Sequence, residues 1–121
     1  MKSTAFEIEF LEGIVRREST YVEALEMLAT LYTKSGRLDE GLRIDRKLVA
    51  MQPENATHHY NLACSLALKN QRARAVTALR KAISLGYDDF QWMLTDEDLK
   101  PLRGHPRFIE LMEELQSERR L

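Results

Sequence analysis

The chain repeats itself at an offset of 34 residues, and this repeat limits its fold more than any other feature of the sequence. Hydrophobic and small residues in the segment 28–51 fall on residues of similar kind in the second copy. The matched pairs are Leu28/Leu62, Ala29/Ala63, Tyr32/Leu66, Gly36/Asn70, Gly41/Ala75, Leu42/Val76, Lys47/Lys81, Leu48/Ala82, Val49/Ile83 and Met51/Leu85. Such a period is typical of stacked units of secondary structure that bury their apolar faces against their neighbours.

Each copy of the repeat has the residue spacing of two amphipathic helices. Apolar residues recur three or four positions apart, and no segment alternates with a period of two. Helices are predicted at 4–17, 21–34, 38–51, 55–69, 72–85, 89–94, 96–102 and 106–118. Thr4, Thr20 and Thr95, each followed three positions later by an acid, are the predicted N-caps. Left-handed residues are expected to end helices at Gly36, Asn70 and Gly86.

Length and composition indicate one domain of ordinary globular type. The chain has 121 residues, of which 44% are hydrophobic and 31% charged, and its formal net charge is −1. A single cysteine, Cys64, excludes an internal disulfide and fits a reducing compartment. No apolar run approaches the ~20 residues of a membrane span, and residues 1–11 lack the apolar stretch of a signal peptide. We therefore expect a cytoplasmic location and no membrane partner.

At the matched positions the sequence resembles the tetratricopeptide repeat family. Residues 22–55 and 56–89 look like two full repeats, and the family's signature positions hold Leu28, Ala29, Tyr32, Gly36, Gly41, Pro53, Leu62, Ala63, Asn70, Ala75, Ala82 and Tyr87. The resemblance implies an all-α, right-handed α-solenoid of antiparallel helix pairs, formed by residues 1–121 as a single domain. In this interpretation residues 1–20 are an N-terminal half repeat that caps the stack, and residues 90–121 are a C-terminal cap. Three positions depart from the family pattern: Asp45 and Leu79, where an aromatic is usual, and Tyr87, where a proline is usual.

The resemblance also implies a function, because the first helix of each repeat in this family lines a concave groove that holds a peptide or helix of another protein. The corresponding positions here are Glu23, Glu26, Met27, Thr30, Thr33, Lys34, Thr57, Tyr60, Asn61, Cys64 and Ala67. From this set the predicted peptide-binding residues are Glu26, Thr30, Lys34, Tyr60, Asn61 and Cys64. Asn61 stands where family members often hold the backbone of a bound peptide. Glu26 and Thr30 replace the lysine and asparagine of the chaperone-binding members, so a chaperone C-terminus is not the expected ligand.

No group of residues has the pattern of a catalytic or metal site. His59 and Cys64 lie five positions apart and do not share a helix face, and no second cluster completes a ligand set around them and His58. Asp98 is explained as the acid of a capping box, and Asn55 as a helix cap rather than a glycosylation site. The prediction is a non-enzymatic protein without metal or cofactor.

Two alternative functions remain at this point. The first is a structural subunit that assembles with its own copies through the end helices. The second rests on the segment 56–87, which holds five basic residues and no acid and could contact nucleic acid. We expect those basic residues instead to pair with Asp39, Glu40, Asp45 and the acidic C-terminal cap.

Overall fold

The structure is a computed structural model that describes residues 3–119, so residues 1–2 and 120–121 of the two predicted caps lie outside the described residues. Within residues 3–119 all regular structure is helical, which confirms the predicted all-α class. The α-helices are α1 (Thr4–Arg17), α2 (Val22–Lys34), α3 (Leu38–Met51), α4 (Ala56–Leu68), α5 (Arg72–Ser84), α6 (Phe90–Thr95) and α7 (Pro106–Arg119). A 3₁₀ helix, Glu97–Leu102, connects α6 to α7.

Helices that follow one another in the chain pack against one another from α1 to α5. The C-terminal segment then folds back onto the bundle, because the 3₁₀ helix packs on both α4 and α5, and α7 packs on α5. Among the described helices, none is both long enough and apolar enough to cross a membrane.

The turns after α2, α4 and α5 share one hydrogen-bonded closure. Gly36, Asn70 and Gly86 have positive φ angles of 82°, 61° and 109°, as predicted. After α2 the Arg37 N–H donates to the Tyr32 carbonyl at 2.8 Å, and after α4 the Gln71 N–H donates to the Leu66 carbonyl at 2.9 Å. This six-residue bond satisfies carbonyls that the helix end leaves open. The repeat in the sequence is therefore also a repeat in the local backbone.

Close helix approach explains why small residues recur in the repeat. A Cβ on Gly41 would lie 2.8 Å from Oγ1 of Thr33, so α2 and α3 could not approach as closely with a larger residue. The matching residue of the second copy, Ala75, is fully buried. Both positions let one helix of a pair lie directly on the other.

Two hydrophobic clusters hold the helices together. The smaller cluster joins α1, α2 and α3 through Ile8, Leu11, Ala24, Leu28 and Tyr32, with Ile14, Val15, Leu31 and Ile44 at its edge. The larger cluster spans α3 to α7, and its fully buried members include Ala63, Leu79, Met93, Leu99 and Leu102.

Three predicted helix caps are wrong. Ser3, not Thr4, accepts the hydrogen bond from the Phe6 N–H at 3.1 Å, and α2 begins after Tyr21 without a side-chain cap. The 3₁₀ helix is capped by Asp96, because Thr95 instead donates its hydroxyl to carbonyls of α6. Asn55 does cap α4, accepting from the His58 N–H at 3.1 Å.

Candidate functional site

A cavity of about 420 Å³ lies among α2, α3, α4 and the segment 92–98. All six residues predicted to bind a peptide line it. Its lining residues are Glu26, Ala29, Thr30, Thr33, Lys34, Leu38, Asp45, Leu48, Tyr60, Asn61, Cys64, Ser65, Leu68, Trp92, Asp96 and Asp98. Residues 34 positions apart in the sequence, such as Glu26 and Tyr60, meet here because α2 and α4 carry equivalent positions of the two repeat copies.

The six predicted residues differ in accessibility. Thr30, Lys34 and Asn61 are exposed and Glu26 is half-buried. Tyr60 and Cys64 retain only 4% and 7% of their accessible surface. The 3₁₀ helix packs on α4 and covers these two side chains, so they are less accessible to a ligand than residues on an uncovered helix face. Ala67, also expected on this face, is fully buried in the larger cluster.

Tyr60 is held by contacts with two residues that follow α5. Its hydroxyl donates to Oδ2 of Asp96 at 2.6 Å, and its ring stacks on Tyr87 with the ring centres 4.2 Å apart. Burial and the Asp96 carboxylate both raise the pKa of the Tyr60 phenol, so it stays protonated. No sequence pattern indicated this pairing, which joins residues 36 positions apart.

Asp96 is the centre of a small polar network beside the cavity. Its carboxylate also accepts from the backbone N–H of Asp98 at 3.0 Å and from Sγ of Cys64 at 3.7 Å. Burial, followed by the charges of Asp96 and Asp98, raises the pKa of the Cys64 thiol. A protonated, buried thiol is a poor nucleophile.

Cys64, Asp96 and Asp98 offer ligand atoms that lie within 4.8 Å of one another. A metal ion bound there would have to displace the thiol proton and compete with the hydrogen bonds that Asp96 already accepts. The geometry therefore does not present a prepared metal site, and the predicted absence of a metal stays a prediction.

Asp45 lies on another part of the cavity lining and joins α3 to α4. The Ser65 hydroxyl donates to its carboxylate, and Asp45 is 5% exposed. Burial raises the pKa of Asp45 to about 6, although the hydrogen bond from Ser65 opposes that shift. The expected pairing of Asp45 with basic residues is thus wrong, since its partner is a hydroxyl.

Trp92 is a lining residue that the predicted binding set does not include. It belongs to the predicted C-terminal cap, residues 90–121, and 51% of its surface is exposed. The spacing along α6 indicates which residues are buried, because Phe90 and Met93 are three positions apart and share one face of the helix. Both are buried in the structure. Trp92 projects outside that face and is left at the cavity.

The basic residues of segment 56–87 are partly paired, as expected. Lys69 pairs with Asp39, and Arg80 pairs with Glu114 of the acidic cap at 2.8 Å. Glu40, in contrast, pairs with Arg37, three positions before it in the chain, at 2.7 Å.

The two adjacent histidines of α4 contact residues that precede this helix. His58 and His59 are both buried, and their Nε2 atoms lie 2.7 Å from Oε1 of Gln52 and 2.8 Å from the Pro53 carbonyl. They tie α4 to the loop that precedes it.

Comparison with known proteins gives a distant similarity. No family model matches the chain. Over 106 residues the chain is 29% identical to a chloroplastic protein of Arabidopsis thaliana, and the match covers 85% of this chain. The chain spans about 30% of the length of that relative.

Proposed function

We propose that this chain is a non-enzymatic protein-interaction module of the tetratricopeptide type, which holds an extended or helical segment of a partner protein in the cavity between α2 and α4. In this proposal the helix pairs α2/α3 and α4/α5 are two stacked repeats. α1 is the preceding half repeat, and α6 to α7 form the cap.

One observation carries the proposal: six residues chosen from the repeat register line a single cavity. The cavity presents exposed polar groups of Thr30, Lys34 and Asn61 beside the exposed indole of Trp92. Polar side chains that can bond a peptide backbone, next to an aromatic surface, are typical of sites that hold a peptide segment. The repeated turn closures and the close approach at Gly41 support the repeat assignment.

A selection from random linear peptides displayed on phage tests this function. Trp92 is the single tryptophan of the chain and lines the cavity, so its fluorescence reports whether a selected peptide binds there. We expect selected peptides to change that emission. Selection of no peptide that affects Trp92 would contradict the proposal.

Asn61→Ala provides the residue-level test. Asn61 is exposed, so the free energy of unfolding should change by no more than ~0.5 kcal/mol. Loss of its hydrogen bonds to a bound backbone should weaken binding by about 1–3 kcal/mol. The matched control is Arg74→Glu on α5, an exposed residue that does not line the cavity. Unchanged affinity for the Asn61 variant with a large loss for the Arg74 variant would move the binding surface to α5.

A second function, assembly with copies of the same chain, is favoured by a specific observation on α1. Phe6 and Phe10, one helical turn apart on α1, are 53% and 60% exposed. Exposed apolar patches of this kind are typical of surfaces that contact another protein. If copies associate through this face, the mass in solution will exceed that of one chain and will fall to it in the double variant Phe6→Ser, Phe10→Ser.

We further propose a cytoplasmic location for the protein. Cys64 is a buried free thiol, which fits a reducing compartment.

A further inference from the structure

The charges around the cavity are unbalanced. Among the described lining residues, four are carboxylates, Glu26, Asp45, Asp96 and Asp98, whereas Lys34 is the one lysine and none is an arginine. None of these four carboxylates forms an ion pair with any residue in the segment 3–119.

Four carboxylates outside the cavity do form ion pairs in the segment 3–119. Glu12, Glu40, Asp39 and Glu114 each lie against a lysine or arginine, although all four are on the surface. Arg103 is the basic residue closest to Asp96 in the hydrogen-bond network, and its guanidinium donates to the backbone carbonyls of Leu94 and Asp96, both at 3.2 Å, rather than to a carboxylate. The four carboxylates at the cavity thus have no lysine or arginine as an ion-pair partner among the described residues.

Trp92 adds a second feature that suits a cation. Its indole is half exposed at the same cavity, and a tryptophan face attracts a lysine or arginine within about 6 Å of the ring. Enclosure by helices on several sides lowers the local dielectric, so unpaired carboxylates there attract a cation more strongly than surface carboxylates do.

We propose that the cavity recognises a cationic side chain, an arginine or lysine, carried by the bound segment of the partner. The cation binds between the Trp92 indole and the carboxylates of Asp98 and Glu26, and the positive charge of Lys34 in the same lining opposes its binding. This inference rests on the proposed function, since it names the chemistry of the segment that the same cavity holds.

The test uses peptides selected on phage against the full chain and resynthesised in matched pairs. One member of each pair keeps its arginines, and the other carries citrulline, a neutral side chain of nearly the same shape. Binding is followed by Trp92 emission. We expect arginine or lysine in the selected peptides, and replacement by citrulline should weaken binding by about 10-fold to 100-fold, as loss of a charged hydrogen-bonding partner does.

Variants of the chain locate the effect. Asp98→Asn should weaken binding of the arginine peptide and leave that of the citrulline peptide unchanged. The control is Glu97→Gln, the same charge change at an exposed neighbour that does not line the cavity, and it should change either affinity by less than about 2-fold because exposed charges are screened. Lys34→Gln should tighten binding of the arginine peptide, a gain that misfolding could not produce.

The outcomes separate this inference from the proposed function. Equal affinity of the arginine and citrulline peptides, a consensus of acidic or purely apolar peptides, or equal losses in the Asp98 and Glu97 variants would overturn the cation inference while peptide binding stands. If no selected peptide changes Trp92 emission, the proposed function fails, and the inference fails with it.

Discussion

The two ends of the chain are attached to the central helices in different ways. At the N-terminal end, α1 contributes two buried residues, Ile8 and Leu11, to a small cluster with α2. At the C-terminal end, the described residues after Gly86 contribute seven to the larger cluster: Phe90, Met93, Leu99, Leu102, Phe108, Leu111 and Leu115. The N-terminal end covers α2, whereas the C-terminal end completes the larger cluster. Their removal should therefore reduce stability to different extents.

The largest expected effect is the loss of stability when either end is removed, and this loss should be greater for the C-terminal end. Without residues 88–121, Val76, Leu79 and the Tyr60 ring lose their cover, so we expect aggregation or loss of a cooperative unfolding transition. Without residues 1–20, the larger cluster stays intact, so unfolding should remain cooperative at a lower denaturant concentration. Urea unfolding and mass in solution measure both. A monomeric variant lacking residues 88–121 with the stability of the parent would show that the C-terminal segment does not complete the core.

Single truncations should show the same contrast on a smaller scale. Leu79 is fully buried among residues from several helices, so Leu79→Ala leaves a cavity that cannot collapse and should cost about 4–5 kcal/mol. Leu11 lies in the smaller cluster near the end of the bundle, where α1 can shift, so Leu11→Ala should cost about 2–3 kcal/mol. Equal losses in urea unfolding would mean that the two clusters are equally rigid.

Much of the fold could be predicted because local signals and the repeat agreed. The predicted helix limits differ from those observed by at most one residue, and the left-handed positions follow directly from Gly36, Asn70 and Gly86. The caps were missed because neighbouring polar residues, Ser3 beside Thr4 and Asp96 beside Thr95, compete for the same role. Only the path of the backbone decides which one reaches the open N–H groups.

The cavity could be predicted only in part, because some of its lining residues lie outside the repeat. Residues on α2 and α4 follow from the register of the repeat, since equivalent positions share a face. Trp92, Asp96 and Asp98 belong to a segment outside the repeat, and nothing periodic relates them to Tyr60. The hydroxyl of Tyr60 and the carboxylate of Asp96 are brought together by packing of the 3₁₀ helix on α4. The same packing explains why Tyr60 and Cys64 are buried rather than exposed.

The buried carboxylate of Asp45 lies between the two ends and joins α3 to α4. The pKa of Asp45 is about 6 in the folded chain and ~3.9 in an unfolded one, so between these values the folded state binds a proton more tightly. Protonated Asp45 therefore stabilises the folded state at low pH. This stabilisation, on the order of 2–3 kcal/mol, is lost as pH rises through 6.

Asp45→Asn should remove this dependence of stability on pH, because an amide does not titrate in this range. Its oxygen still accepts the hydrogen bond from Ser65. The measurement is the free energy of unfolding of parent and variant from pH 4 to pH 7, and their difference should rise in favour of the variant. A constant difference over that range would mean that Asp45 titrates as it does in the unfolded chain.

The smallest expected effects come from two matched tyrosines, one at each end. Tyr32 donates to Glu12 near the N-terminus, and Tyr60 donates to Asp96 near the C-terminal segment. In Tyr32→Phe, Glu12 keeps the Arg37 guanidinium at 3.6 Å and contact with water, so the loss should be about 0.5–1 kcal/mol. In Tyr60→Phe, the Asp96 carboxylate is 6% exposed and loses a bond that water cannot easily replace, so the loss should be about 1.5–2 kcal/mol. Urea unfolding of both variants measures the two losses in free energy of unfolding. A larger loss for Tyr32→Phe would show that the hydrogen bond to Glu12 stabilises the fold more than the hydrogen bond to Asp96 does.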